Sequence, residues 1–398
     1  MKKAYRLVAF LISFFLLYHW FSFSVFVFQR IRVKPTNNPD PNIISKSHNF
    51  TKLNADVYFY TSFVDLRNGN IGFPMVRTIA VLKANRPKLS FYCRFGFDKL
   101  VEAHLYELSE NHMQIFGTYL ISCPIPDFLN PPEQFVIGVG EEKVEIEVTY
   151  LIPDERLSLK TSSKFSICVP LLFGKKYSIQ DIVEFMELNR LLGAEKIFLY
   201  VDRPTLEPQM VKTLQFYESR KLLQTLQYSL PMSHEDIWYH GQLVTVTDCL
   251  YRNVGYSKYV AFHDIDEAMV PQGSLKTVPE ALDSIANSTI GSYRVPTVIF
   301  DIREILPPYK VNAKRRSAMF DQTFTKCILR PEMVYEQGIH HTSRVIQDYY
   351  QAISMPSEVM RVHHYKPGHP SEHDDTVDQK YGNALRANYE KITELLKV

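Results

Sequence analysis

The hydrophobic pattern of the chain begins with one long apolar run, Leu7 to Phe28, that contains no charged residue. A helix that crosses a bilayer needs about 20 apolar residues, so this run is long enough. A cleaved signal peptide would have a shorter apolar core and a small-residue cleavage site. Basic residues flank the run on both sides, so the positive-inside rule does not fix its orientation. The short tail 1–6 favours a signal anchor at 7–28 with a lumenal body.

Two further changes of pattern follow the apolar run. The segment 29–54 is polar and contains several prolines, which predicts an extended stem. Over 55–160, runs such as DVYFYTSFVD and TIAVLK are separated by Asn, Gly and Pro, which predicts a small β-rich domain. The stretch VEIEVTY alternates strictly, so we expect a strand with one face in water.

From about Phe165 strands alternate with helices, which predicts an α/β domain over 161–398. The runs KFSICVPLLF, KIFLYVD and KYVAFHD are typical of buried strands. A helix is predicted after the first of them, because Ser178 and Asp181 form a capping signal and Gly193 can end it. In a parallel sheet covered by helices, ligands bind beyond the carboxyl ends of the strands. Asp202 and Asp264 both lie at such predicted ends.

Charge and composition narrow the class of function. The 398 residues include 45 Lys and Arg and 43 Asp and Glu, a formal net charge of +2, so no overall field favours nucleic acid. The basic stretch KVNAKRR around Lys314 is short and is typical of a solvated surface. Two glycosylation sequons, at Asn49 and Asn287, agree with a body in the secretory pathway.

The cysteines agree with an oxidising compartment. None of the five forms a CxxC pair, which argues against a zinc ribbon. One or two disulfides are plausible, and the odd count leaves at least one thiol free or bonded between molecules. Cys249 lies in an amphipathic helical pattern and is predicted to be the buried free thiol. The five are Cys93, Cys123, Cys168, Cys249 and Cys327.

The stretch SKYVAFHDIDEAMVP carries the candidate chemistry, because an apolar strand ends there in three carboxylates. Asp264 and Asp266 are two residues apart, so their side chains can share one side of an extended segment. Mg²⁺ and Mn²⁺ are held by one or two carboxylates together with substrate phosphates. Such a pair at a strand end therefore fits a metal–diphosphate site, although most bare D-x-D matches are surface turns.

Several ordered segments resemble glycosyltransferase family 92, formerly DUF23. The resemblance covers about Phe165 to Gly368 and departs from the family at His263, where a small or apolar residue is more usual, and at Lys366, where Arg is common. The matching segments are the opening strand–helix–strand, the D-x-D-E stretch, GQLVTVTDCLYRNVG, KCILRPEMVYEQGIHH and VHHYKPG.

The resemblance implies a type II membrane enzyme with a GT-A fold, which is Rossmann-like, in the Golgi. It also implies transfer of galactose from UDP-galactose with Mn²⁺ or Mg²⁺, and a glycan acceptor such as the fucose of an N-glycan core. An α-linked donor and a β-linked product would require inversion by one displacement. A carboxylate base would deprotonate the acceptor, and the metal would offset charge on the leaving diphosphate.

The resemblance also suggests a metal site. Asp264 and Asp266 are expected to contact the metal and the ribose–diphosphate, with Asp266 the safer direct ligand. His364 is the expected third ligand, with a core histidine as its alternative, and His363 should point to the opposite strand face. Glu267 either supports the ligands from behind or is a helix-start or surface acid.

The remaining candidates belong to the two substrates. Asp202 is expected at the uracil or ribose, Asp248 at the nucleotide and Lys366 at the diphosphate. His340 is expected to line the acceptor pocket, with a structural histidine as its alternative. The sequence does not determine the general base, for which the candidates are Asp301 and Glu304.

Three other functions are compatible with parts of the pattern. The first is a transferase that uses another UDP-sugar, because the sequence does not fix the contacts to the sugar hydroxyls. The second is a membrane-anchored glycan-binding protein without turnover, which would not need an intact D-x-D and late His-Tyr. The third is a metal phosphodiesterase, which would need a denser cluster of His and Asp for two metals.

Overall fold

The structure is a computed structural model that describes residues 49–67, 74–84, 89–96, 99–125, 133–150 and 161–397. The predicted anchor at 7–28, the tail before it and the predicted stem up to residue 48 lie outside these residues. The end of the predicted stem, Thr51–Asn54, is not extended linker but a strand paired with the next one. Within the described ranges, no helix has the length and apolarity needed to span a membrane.

All described elements before residue 151 are strands, and they form two sheets. The larger sheet has the order β1-β2-β3-β7-β6, with β10 beside β2, and the smaller has the order β5-β4-β8-β9. The strands are β1 (Thr51–Asn54), β2 (Val57–Asp65), β3 (Met75–Lys83), β4 (Phe91–Phe95), β5 (Lys99–Glu102), β6 (His104–Glu107), β7 (Phe116–Pro124), β8 (Gln134–Val139), β9 (Glu142–Glu147) and β10 (Thr149–Tyr150).

The remainder of the chain combines strands and helices, so the protein has a mixed α/β fold. The helices are α1 (Ile179–Leu191), α2 (Pro208–Ser219), α3 (Gln242–Asn253), α4 (Val278–Ser284), α5 (Tyr309–Asn312) and α6 (Thr376–Leu396). The strands are β11 (Ser163–Leu172), β12 (Lys196–Val201), β13 (Leu223–Gln227), β14 (Ser257–Phe262), β15 (Glu267–Pro271), β16 (Ile290–Phe300), β17 (Arg315–Arg316), β18 (Asp321–Leu329), β19 (Val334–Gln337), β20 (Thr342–Val345), β21 (Gln351–Ser354), β22 (Met360–Tyr365) and β23 (Glu372–His373).

Helix α1 begins where the sequence predicts. The Ser178 hydroxyl accepts a hydrogen bond from the Asp181 backbone N–H, and the Asp181 carboxylate accepts one from the Ser178 N–H, so the capping box is complete. Just past the helix, Gly193 has φ of 95°, in the left-handed region that favours glycine. The local chemistry of this segment therefore fixes both ends of the helix that connects the first two strands of the domain.

The central sheet has 11 strands and is parallel only in part. Strands β13, β12, β11 and β14 are parallel neighbours in that order, whereas β18 and β16 continue the sheet antiparallel. The parallel strands expected from the sequence thus form one run of four neighbours, and β16 pairs in parallel again with β21 and β22 at the other side of the sheet. The chain runs from β11 outward to β12 and β13 and then returns to the other side of β11 as β14. The strand order reverses there, and a crevice beyond the carboxyl ends of β11 and β14 is lined by Lys176, Tyr177 and Asp266.

Helix α3 lies between the central sheet and the larger N-terminal sheet. All of its 12 residues are buried, so it has no face in solvent. Its Tyr251 ring stacks on Phe63 of β2 with centroids 5.8 Å apart, and the Arg67 guanidinium lies 5.0 Å from the centroid of the Tyr251 ring. Apolar side chains of β2, β3, α3, β12 and β14 form one shared cluster. The N-terminal strands are thus packed directly on the α/β part of the chain.

A buried ion-pair network closes this interface. The Asp65 carboxylate accepts hydrogen bonds from Arg67 at 2.9 Å and from Arg77 at 2.7 Å. Arg67 also donates to the carbonyl oxygens of Pro331 and Val334, both at 2.7 Å. Burial alone would raise the pKa of Asp65, but the two guanidinium groups outweigh it and lower that pKa far below its ordinary value.

The structure corrects the prediction for the cysteines. Cys249 is not a free thiol, because it forms a disulfide with Cys168, and a second disulfide joins Cys93 to Cys123. Among the described residues the free cysteine is Cys327, which is buried. The helical pattern correctly places Cys249 in the interior. It does not indicate that α3 packs on β11 with the two Cα atoms 6.2 Å apart, which is a distance that a disulfide spans.

Candidate active site

The D-x-D-E stretch lies at the crevice between β11 and β14. Strand β14 ends at Phe262 and β15 begins at Glu267, so the two aspartates lie in the short connection between two buried strands. The connection is a tight turn in which the Glu267 N–H donates to the Asp264 carbonyl at 3.2 Å. The Glu267 carboxylate in turn accepts a hydrogen bond from the Asp264 N–H at 2.8 Å. These bonds fix the backbone from which both aspartates project.

A buried lysine neutralises part of this acidic group. Lys326 Nζ lies 2.9 Å from Asp264 Oδ2 and 3.2 Å from Glu267 Oε2, and the lysine side chain is 4% exposed. It comes from β18, which pairs with β14 so that Cys327 faces Phe262. Burial alone would lower the pKa of Lys326, but the two carboxylates outweigh it and raise that pKa. Lys326 therefore stays charged and holds Asp264.

Asp266, the remaining carboxylate of the stretch, pairs with His364 from strand β22. The register of β15 on β22 sets Glu267 opposite His364. As a result, His364 Nε2 lies 3.4 Å from Asp266 Oδ2, and the Tyr177 hydroxyl donates to Asp266 Oδ1 at 3.2 Å. Burial alone would raise the pKa of Asp266, but His364 and nearby lysines outweigh it and lower that pKa to about 2. Asp266 is therefore an anion at neutral pH.

The residues present fit a divalent metal only in part. Within the ranges that the structure describes, no three His, Cys, Asp or Glu side chains are arranged as a metal site. Asp264 is committed to Lys326, which leaves Asp266 and His364 as the pair that could hold a cation. His364 Nδ1 and Glu267 Oε1 face each other at 3.4 Å, and both are buried without a hydrogen-bond partner. A hard cation on two protein ligands would take its remaining ligands from substrate phosphates or water.

A cavity of about 220 Å³ opens beside Asp266 and is rich in lysine. Its lining includes Lys176, Lys310 and Lys366, so Lys366, the residue expected at the diphosphate, lines the same cavity as Asp266. Lys310 is buried and lies 3.8 Å from a Glu184 carboxylate oxygen. Lys310 is thus paired with an acid, and Asp181 adds a second carboxylate to the lining. Lys176 and Lys366 provide the positive charge beside the anionic Asp266 that can attract a diphosphate.

The two candidates for the nucleotide have different positions. Asp202 follows β12 at the same edge of the sheet, where its carboxylate accepts a hydrogen bond from the Ser229 hydroxyl at 2.6 Å. Asp248 is fully buried in α3 and pairs with Arg252, and it accepts hydrogen bonds from Tyr200 and Thr61. Because α3 is enclosed on all sides, Asp248 does not face the crevice. The expectation that it contacts the nucleotide needs this correction.

The candidates for general base are less suited to that role than the sequence suggests. Asp301 makes a bidentate pair with Arg303 and accepts a hydrogen bond from the Gly368 N–H at 3.2 Å. The hydrogen bonds from Arg303 lower the pKa of Asp301 to about 2, which is far from the working pH of an efficient base. Glu304 is exposed and has φ of 63°, in the left-handed region.

The two other candidate histidines, His340 and His363, have their contacts outside the acidic group. His340 is half-buried with Nδ1 3.1 Å from the Thr325 carbonyl oxygen, and burial lowers its pKa. His363 is buried and stacks on Phe300 with ring centroids 4.4 Å apart. Strand alternation therefore directs His363 into the core and His364 toward Asp266, as the sequence pattern indicates.

Sequence reasoning missed four residues that complete the site. Lys326 begins the segment KCILRP, and an isolated charge inside an apolar strand is the signal that could have identified it. The others lie in a loop or in the short helix α5, where no periodic pattern marks them. They are Lys176, Tyr177 and Lys310.

Comparisons with known proteins identify the family. The model of glycosyltransferase family 92 matches residues 163–395. The chain is 37% identical over 366 residues to the beta-1,4-galactosyltransferase galt-1 of Caenorhabditis elegans, covering 90% of this chain and 85% of the relative. Among solved structures, the crystal structure of a mycobacterial protein aligns with a TM-score of 0.29 at 10% identity, over 57% of this chain and 74% of the other. A TM-score that low does not establish a common fold. The family match and the relative show that this chain belongs to glycosyltransferase family 92.

Proposed function

We propose that the protein transfers galactose from UDP-galactose to a glycan acceptor, with a divalent cation, Mn²⁺ or Mg²⁺, at Asp266 and His364. The donor is suggested by the relative, whose name describes a beta-1,4-galactosyltransferase and which is similar over 90% of this chain. The observation that carries the proposal is the anionic Asp266 beside three lysines at the point where the strand order reverses. Nucleotide ligands bind at that point in open α/β sheets, and we extend the proposal to a GT-A architecture.

Each group of the site would have one task. The cation, when bound, would offset the charge that grows on the leaving diphosphate. Lys176, Lys310 and Lys366 would bind the phosphate oxygens, and Lys326 would hold Asp264 in place. Asp202 remains the candidate for the uracil or ribose. Inversion in one displacement requires a base near the acceptor hydroxyl, and the low pKa of Asp301 argues against that residue.

Turnover of the full-length enzyme in detergent tests the proposal. UDP release would be measured with UDP-galactose, UDP-glucose and UDP-GlcNAc, each with EDTA and with added Mn²⁺. We expect UDP-galactose turnover that depends on Mn²⁺ and is lost in Asp266→Asn. Asp283→Asn is the matched control, because this acid pairs with two half-exposed lysines, Lys164 and Lys258, and none of the three lines the lysine-rich cavity. Full Mn²⁺-dependent turnover in Asp266→Asn would refute the metal site.

The acceptor and the compartment belong to the same proposal. The fucose of an N-glycan core is the acceptor to test first, within a glycan array. A preference for another UDP-sugar would identify a transferase with a different donor, and glycan binding without UDP release would identify a binding protein. We further propose a type II Golgi membrane protein, which protease protection of the body in sealed microsomes would test.

A further inference from the structure

A second cavity lies next to the lysine-lined one. Its volume is about 380 Å³, within the range of about 300–1,000 Å³ typical of ligand sites. It is lined by Ile299, Arg303, Ser317, Pro367, Gly368 and His369. We propose that this cavity, here called the acceptor cavity, binds the acceptor sugar, and that it selects an uncharged sugar. This inference rests on the proposed function, because it places the second substrate of the same reaction.

The same two chain segments line both cavities. At the end of β16, Ile302 lines the lysine-rich cavity while Ile299 and Arg303 line the acceptor cavity. After β22, Lys366 lines the former, His369 lines the latter and Pro367 lines both. Two cavities that share one residue and two short segments are direct neighbours. A hydroxyl of a ligand in the acceptor cavity is therefore beside the donor site, as a single displacement requires.

The lining suits a sugar ring. Ile299 and Pro367 provide an apolar surface, and Ser317, Arg303 and His369 provide hydrogen-bonding groups. A pyranose has a face of C–H groups and a rim of hydroxyls, so it can use both kinds of contact at once. The floor is closely packed, because a Cβ added at Gly368 would lie 2.8 Å from Ile299 Cγ2. The cavity is thus shaped by the approach of the two segments.

The charge of the acceptor cavity argues for an uncharged ligand. Arg303 donates to both oxygens of Asp301 through Nε, to Asp301 Oδ2 through Nη2 at 2.8 Å, and to the Gly368 carbonyl. The guanidinium is thus neutralised and oriented by protein groups. Its Nη1 has no partner among the described residues and can donate to a hydroxyl. A carboxylate on the sugar would meet an arginine whose charge is already balanced and would lie close to Asp301.

The test separates acceptor binding from donor use in the full-length enzyme. Three quantities would be measured: KM for methyl α-L-fucoside, KM for UDP-galactose, and the slow hydrolysis of UDP-galactose without acceptor. We expect Arg303→Ala to raise the KM for the fucoside about tenfold, as loss of a hydrogen bond from a charged group implies. His369→Trp would narrow the cavity and should raise the same KM. In both variants, donor KM and hydrolysis should change by less than about twofold.

The controls distinguish the failure of this inference from failure of the proposed function. Leu306→Ala changes a side chain that is 78% exposed and outside both linings, and it should leave all three quantities unchanged. As competitors of methyl α-L-fucoside, methyl β-glucuronide should be at least tenfold weaker than its neutral counterpart, methyl β-glucoside, and equal competition would overturn the selection of an uncharged sugar. An unchanged fucoside KM in both Arg303→Ala and His369→Trp, with normal donor hydrolysis, would overturn the acceptor cavity alone. Absence of UDP release from UDP-galactose in the unaltered enzyme, both without acceptor and with every glycan of the array, would instead overturn the proposed donor.

Discussion

Replacement of Lys326 by methionine is the most direct test of how the acidic group is held together. Lys326→Met keeps an unbranched side chain of similar length and removes the charge. The lysine is 4% exposed and bridges Asp264 at 2.9 Å and Glu267 at 3.2 Å. The substitution therefore leaves the carboxylates of Asp264 and Glu267 side by side, with the carboxylate of Asp266 nearby in the chain and no buried cation between them.

The structure sets the size of the expected effect. At an effective dielectric constant of about 20, each of the two contacts corresponds to a gross attraction of about 5 kcal/mol. Desolvation of the three groups offsets much of this attraction. Asp264 is 32% exposed and is screened by water, whereas Glu267 is 1% exposed and is not. Breaking a buried ion pair on one side costs about 3–5 kcal/mol. We expect Lys326→Met to lower the free energy of unfolding by about 3–4 kcal/mol.

The assay is urea unfolding at neutral pH, followed by tryptophan fluorescence and far-UV circular dichroism. Lys326→Arg keeps the charge, so it should lower the free energy of unfolding by less than Lys326→Met does. Lys258→Met is the surface control, because its partner Asp283 is 41% exposed, and it should cost less than about 1 kcal/mol. Adding Glu267→Gln to Lys326→Met removes one uncompensated charge. The double variant should therefore have a free energy of unfolding more than about 1 kcal/mol above that of Lys326→Met alone. Equal stability of Lys326→Met and Lys258→Met would refute the reasoning.

Four other predictions concern separate parts of the molecule. The pKa of Asp65 is lowered in the folded protein, so its ion pairs stabilise the fold fully above about pH 4 and lose that contribution as the pH falls. Asp65→Asn should therefore flatten the acid side of a plot of unfolding free energy against pH. An unchanged slope would contradict this. Replacing Cys168 and Cys249 together by serine should lower the free energy of unfolding, measured in urea, by about 2–4 kcal/mol. Recovery of an alkylated Cys249 peptide from the unreduced protein would contradict the disulfide. Asp301→Asn should keep kcat within about tenfold because its carboxylate is committed to an arginine, whereas a general base contributes about 10²–10⁴-fold. Asn287 is exposed in the loop after α4, so Asn287→Gln should remove one endoglycosidase-sensitive mobility shift on a gel, and an unchanged pattern would show that the sequon is not used.

The sequence predicted the features that depend on local pattern. The end of β14 at an acidic turn and the capped start of α1 follow from alternation and capping chemistry, which neighbouring residues determine. The proximity of His364 to Asp266 was expected only through the family resemblance. It depends on the pairing of β15 with β22, which are separated by about 90 residues in the chain and whose register no local pattern sets.

The errors have the same physical origin. Cys249 and Asp248 were placed correctly on a helix, but the identity of what packs on that helix is a long-range property. Asp248 meets Thr61, a residue 187 positions earlier in the chain, and Cys249 meets Cys168. The role of Lys326 likewise depends on the register of β18 against β14. Periodicity shows that such positions are buried, but it does not show which charge or thiol lies opposite.

The burial of α3 on every side has a consequence for how this enzyme family is delimited. The family model begins at residue 163, yet the surface that covers α3 from outside is made by strands that end before that point. The start of the family match thus falls inside the packed structure, and an enzyme shortened to that match would expose to water one face of a helix whose 12 residues are all buried. In the full-length enzyme, the N-terminal strands would therefore influence catalysis through α3, which packs between them and the strands of the site. Substitutions at Thr61 or Phe63 would be able to shift β14, and the acidic turn that follows it, without touching a substrate.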